Sequence, residues 1–140
     1  MAANSAGYSG TPLAKKLGIK PGHAVALLNE PDGFRDWLET HEARLRKSVG
    51  RNPDIVVAFT TRRRILERRI DAGSEAIFPD GALWVAWPKK ASKVPTDITE
   101  DVVRELALPL GLVDNKVCAI SDVWSGLRLV WRRTERTRNR

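Results

Sequence analysis

The sequence is short of the residues that build reactive or metal-binding centres: its 140 residues include one Cys, one Met and two His. A single thiol excludes a disulfide framework and a thiolate metal cluster. Neither His23 nor His41 has a Cys or second His at a ligand spacing. No metal site is therefore expected, because such sites need three or four converging ligands. Apolar runs are short too. None approaches the roughly 18 residues of a membrane-crossing helix, and no charged amino end followed by an apolar run marks a secretory signal. A cytoplasmic protein that does not engage a membrane is the expectation. Also missing are the Gly-x-Ser-x-Gly elbow of hydrolases and the Gly-Lys-Ser/Thr string of phosphate loops.

Apolar residues make up 42% and charged residues 29% of the chain, the balance of a globular domain with one core. The formal net charge is +7, and Arg132 to Arg140 carry +4 of it, five Arg against one Glu. Such an end reads either as a solvated tail or as a nucleic-acid arm. The chain divides into a small, polar lead-in over 1–11, one domain over 12–133 and a basic tail over 134–140.

Hydrophobic patterning alternates between the strand and helix periods. Leu13, Ala14 and Leu17 share a helix face, which Gly18 ends. Ala24 to Asn29 is a strand whose Val-Ala-Leu-Leu run is continuously apolar, as in a strand covered on both faces. Phe34, Trp37, Leu38, His41 and Leu45 fall on one helical stripe. Ile55 to Phe59 is a second buried strand, after which Thr60 or Thr61 can cap a helix carrying Ile65, Leu66 and Ile70 inward and stopping near Gly73. Ala82 to Trp87 follows the Pro79-Asp80-Gly81 turn as a third strand. Asp97 and Glu100 have the spacing of a capping box for a helix with Val102, Val103, Leu106 and Leu110 on one side. Lys116 to Val123 and Leu127 to Trp131 then read as a hairpin turning at Trp124-Ser125-Gly126. This order predicts an α/β, Rossmann-like domain of two or three layers, with a mostly parallel sheet of about five strands ending in an antiparallel pair.

Leu17-Gly18-Ile19-Lys20-Pro21-Gly22 before the first strand, Pro79 to Val85 entering a later one, Val102 to Leu112 and the terminal hairpin together resemble the layout of class I methyltransferases. The resemblance spans nearly the whole chain and concerns order. That family has a glycine-rich acidic loop after its first strand to receive adenosylmethionine and an acid after its second to hold the ribose. Here the first strand runs into Asn29-Glu30-Pro31-Asp32-Gly33-Phe34, with one glycine, so no cofactor is expected. The strings Gly7-Tyr8-Ser9-Gly10-Thr11-Pro12-Leu13-Ala14-Lys15-Lys16-Leu17-Gly18, Trp87-Pro88-Lys89-Lys90-Ala91-Ser92 and Trp124-Ser125-Gly126-Leu127 also resemble those of a family of small uncharacterised bacterial proteins, which implies no activity.

In open α/β sheets ligands gather beyond the carboxyl ends of the strands. After the second strand come Arg62, Arg63 and Arg64, three cations opposing the positive end of a helix. Local inconsistencies of this kind tend to mark function. After the third strand come Lys89, Lys90, Ser92, Lys93 and Thr96 in a loop bounded by prolines. Together they predict a basic rim that either binds an anionic or protein partner or is simply solvated. A non-catalytic domain working through this rim is the leading expectation. A small transferase with an unconventional nucleotide site, anchored by Asp32, Asp97 or Asp122, is the alternative, and RNA or DNA binding through rim and tail is a third. Cys118 reads as a small core residue. Of the five Trp, Trp84 and Trp87 point to opposite strand faces, while Trp124 and Trp131 pack in the core, at a homodimer interface or on a base.

Overall fold

A computed structural model describes residues 12–39 and 42–137; the lead-in over 1–11, His41 and the end of the tail lie outside them. One sheet organises the chain. Its strands are β1 (Ala24–Leu28), β2 (Arg44–Arg46), β3 (Ile55–Phe59), β4 (Ala82–Pro88), β5 (Leu112–Ala119) and β6 (Trp124–Trp131), in the order β2-β1-β3-β4-β6-β5. The first four are parallel, and β6 runs antiparallel between β4 and β5. Every residue of β1, β3 and β4 is buried, which is why these strands are apolar runs and not alternating ones.

Alternate strand residues feed two cores. Ala26, Val56, Leu83, Val85 and Leu129 point to one side, beneath α3 (Arg63–Ile77) and α4 (Glu100–Ala107). Val25, Leu27, Val57, Phe59 and Trp84 point to the other, beneath α1 (Leu13–Leu17) and α2 (Phe34–Leu38). The domain therefore has three layers. A buried indole fastens each outer layer: Trp84 Nε1 donates to the Leu17 carbonyl at 3.0 Å and Trp131 Nε1 to the Ser74 carbonyl at 2.9 Å. Trp87 shares the α3–α4 core, so Trp84 and Trp87 do face opposite ways.

Several sequence expectations need correction. The second helix stops at Leu38, and Leu45, in phase with its apolar stripe, belongs instead to β2. Glu39 turns left-handed at φ 51°, and the backbone then pairs with the β1 edge through Gly22 N–H to Glu42 O (2.8 Å) and Arg44 N–H to His23 O (2.8 Å). The third helix continues through Gly73 to Ile77. That glycine is a contact, not a stop: a Cβ there would lie 3.0 Å from Leu83 Cδ1. Ile65 is half-buried and Leu110, in a 3-10 turn, is exposed.

α4 is capped by Thr99, whose hydroxyl accepts from Val102 N–H at 3.2 Å, so Asp97 and Glu100 form no capping box. The hairpin turns at 120–123, not at Trp124-Ser125-Gly126, which open β6. Ser121 Oγ builds that turn by accepting from the amides of Val123 and Trp124, both at 3.1 Å. Of the expected tail, Arg133–Glu135 form a 3-10 turn, and Arg136 Nε donates to the Trp131 carbonyl at 2.9 Å. No helix among the described residues is long and apolar enough to cross a membrane.

Candidate ligand-binding site

The chain runs from β1 outward to β2 and then returns to the other side of β1 as β3. Such a reversal leaves a crevice beyond the carboxyl ends of the strands, where open α/β sheets bind ligands. Asn29 spans it, leaving β1 at φ 60° with its Nδ2 donating to the Phe59 carbonyl at the end of β3, 3.3 Å away. Beside it opens a cleft of about 520 Å³, lined by Leu27, Asn29 to Asp36 and Lys47. Phe34, which lines it, belongs to a row of edge-to-face aromatic rings. Trp37 meets Phe34 at 5.8 Å, Phe34 meets Phe59 at 4.9 Å, and Phe59 meets Trp124 at 5.1 Å. Trp124 thus packs within its own chain, as does Trp131.

The cleft carries both signs of charge. Glu30 pairs with Arg35 Nε at 3.2 Å, its carboxylate side chain only 15% exposed. Asp32, Asp36 and Lys47 are exposed and form no ion pair with a described residue. Of the three aspartates expected as anchors, Asp32 alone lines the cleft. Asp97 caps α3, and Asp122 sits in the β5–β6 turn.

The basic segments lie at the carboxyl ends of the neighbouring strands β3 and β4, and two contacts join them. Thr96 Oγ1 donates to the Thr61 carbonyl at 2.7 Å, and Asp97 Oδ1 accepts from Arg63 N–H at 2.6 Å. The Arg63 amide at the start of α3 is therefore held by the protein's own carboxylate, which also suits the positive end of the helix. Thr60 Oγ1 accepts from Arg62 N–H at 3.3 Å. The Arg63 side chain pairs with Glu67 and Glu105 at 3.7 and 3.4 Å, while Arg62 and Arg64 are exposed. Ser92 Oγ donates to the Lys89 carbonyl at 2.7 Å and accepts from Val94 N–H. Thr96 Oγ1 also accepts from Ile98 N–H. Both hydroxyls thus serve the loop itself, and Lys90 and Lys93 are left exposed.

Reading the sequence missed Arg35, Asp36 and Lys47 as a set. Their proximity depends on β2, which looked like the end of a helix. Among the described residues no group of His, Cys, Asp and Glu could hold a metal ion.

No family model matches this sequence, and no curated protein matches it either. Solved structures do match. A protein from Sulfolobus solfataricus assigned to the type 11 methyltransferases superposes with a TM-score of 0.60 at 11% identity, covering 86% of this chain and 89% of that one. A SAM-dependent methyltransferase from Aquifex aeolicus gives a TM-score of 0.61 at 12% identity, over 84% and 86% of the two chains. A fibrillarin pre-rRNA processing protein from Methanococcus jannaschii gives 0.51 at 10%, over 87% and 69%. With its parallel sheet and lone reversed strand β6, the chain has the Rossmann-like fold of the class I methyltransferases.

Proposed function

We propose that this chain is a small methyltransferase-like transferase whose carboxyl-edge cleft holds a phosphorylated nucleotide by side chains. The observation that carries the reading is the position of the cleft, at the carboxyl ends of β1 and β2 beside the strand reversal. Transfer as the class of reaction is supported by the fold's neighbours.

The residues present do not fit adenosylmethionine as the methyltransferase cradle would hold it. Asn29 directly follows β1 with its side chain already bonded across the crevice, and Pro31 has no amide to offer. A Cβ added to Gly33 would meet Trp37 Nε1 at 3.4 Å, a ring of its own α2, so the glycine holds no space open for a ligand. β2 is followed by Lys47 where an acid would receive the ribose. Side chains take over these tasks in our reading. Asp32 accepts from ribose hydroxyls and Lys47 receives the phosphate, the exchange of acid for cation that separates phosphorylated from plain dinucleotides in related folds. The Glu30–Arg35 pair holds the loop between them.

A thermal-shift panel tests this. At 100 times its dissociation constant a ligand adds about 2.7 kcal/mol, a rise of several degrees for a domain of this size. A rise is expected with adenosine 2′-monophosphate or NADP and not with adenosylhomocysteine, and Lys47→Glu should abolish it. A rise with adenosylhomocysteine alone would overturn the assignment of Lys47, and a flat panel would overturn the site.

The clamp made by Thr96 and Asp97 favours a second reading. It fixes the segments bearing Arg62, Arg64, Lys89, Lys90 and Lys93 side by side, as a rim where an anionic or protein partner docks without catalysis.

A further inference from the structure

On the α3–α4 side two cations are ringed by carboxylates: Arg63 with Glu67 and Glu105, Arg104 with Glu100, Asp101 and Asp114. On the opposite side two cations stand against each other. Lys116 on β5 is the register partner of Arg128 on β6, and like charges directly across a strand pair are destabilising. Lys116 Nζ reaches the Lys16 carbonyl at the end of α1 (2.9 Å), and Lys16 Nζ reaches the Ala119 carbonyl (3.4 Å). A carbonyl satisfies the Lys116 donor but leaves its charge in place. Arg128 is half-buried, and its side chain donates to the neutral Asn115 amide oxygen at 3.2 Å. Burial first, and Arg136 second, lower its pKa. Lys15, Lys20, Lys116, Arg128 and Arg136 form no ion pair with a described residue.

These groups are continuous. Lys116 touches α1, Lys20 follows α1, and Lys20 and Arg128 line one cavity of about 630 Å³ at the amino edge of the sheet with Gly18 and His23. We propose that this face, from Lys116 through Arg128 to Lys20, is a docking surface for the phosphate backbone of a nucleic acid. A chain of phosphates fits it better than one small anion. Inside the cavity Asp54 and Asp80 also line the wall, so a small anion would meet carboxylates there, whereas a strand running over the face meets successive cations. Each cation then acquires the opposite charge it lacks, with release of counterions.

Fluorescence anisotropy with short labelled RNA and DNA strands, repeated over a salt series, tests the surface. The expected result is binding at low salt whose logarithm falls linearly with log salt. Lys20→Glu with Lys116→Glu should weaken it at least about tenfold and flatten the slope, by about 0.7 for each lost contact to a single strand. Lys89→Glu with Lys90→Glu makes the same change in net charge at the basic rim and should leave most of the affinity. Lys20→Glu alone, at an exposed side chain, keeps the test readable if the double variant melts early. Equal weakening by both pairs, loss only with the rim pair, binding of inorganic phosphate but no strand, or no binding at low salt would each overturn the proposal.

Discussion

The two faces of the sheet are built alike in their cores and differently at their surfaces. Each buries a tryptophan indole that fastens a backbone carbonyl of the layer above, Trp84 to α1 and Trp131 to α3. The α3–α4 face adds helices of 15 and 8 residues, with charges paired along and between them. The α1–α2 face has two helices of five residues each, too short to be stable without packing, and Lys20, Lys116 and Arg128 on it form no ion pair with a described residue. Hydrophobic closure thus suffices to hold a short helix in place. Charge pairing is a separate feature, dense around Arg63 and Arg104 and missing at Lys20, Lys116 and Arg128, where we place a partner.

The comparison breaks first at the cores. Trp84→Ala empties a fully buried site and frees the Leu17 carbonyl, and should cost about 3 to 5 kcal/mol in chemical denaturation. Trp131→Ala should cost about the same on the other face, and a loss under about 1 kcal/mol for either would show that its layer is not held this way. Asp97→Ala removes the carboxylate that caps α3 from another loop. A loss of about 1 kcal/mol is expected, with faster amide exchange at Arg63 as the local signature.

Cys118 sharpens the contrast on the α1 side. Burial raises its pKa above the ordinary 9.0, opposed by Lys16 and Lys116. A thiol raised on folding contributes stability that is complete below its unfolded pKa and lost as pH climbs through the folded one. The melting temperature should therefore decline above pH 9 more in the parent than in Cys118→Ala, and iodoacetamide should label Cys118 more slowly than a free thiol at pH 8. The smallest effect belongs to Arg128→Gln. Removing a like charge from the Lys116 pair should raise stability by a few tenths of a kcal/mol, whereas destabilisation would mean that the cation is already compensated.

Much of this fold was legible because β1, β3 and β4 are buried on both faces and so are uninterrupted apolar runs. The failures have local causes. β2 is three residues long, too short for any period, and Leu45 happens to continue the helical phase of Phe34 and Leu38. Gly73 looked like a helix end because close approach to Leu83 leaves no mark in the sequence except the glycine itself. Asp97 caps a helix begun 34 residues earlier, a contact that only the tertiary fold creates. The candidate site was half visible: the loop from Asn29 to Gly33 stood out for the glycines it lacks, while Lys47 joined it only once β2 was placed beside β1.

Amide chemical-shift mapping with adenosine 2′-monophosphate titrated into the isotopically labelled protein addresses the central claim most directly. The account predicts saturable shifts confined to 29–36 and Lys47, at the carboxyl edge of β1 and β2. Shifts confined to the amino-edge cavity around Lys20, His23 and Arg128, or none at all, would contradict it.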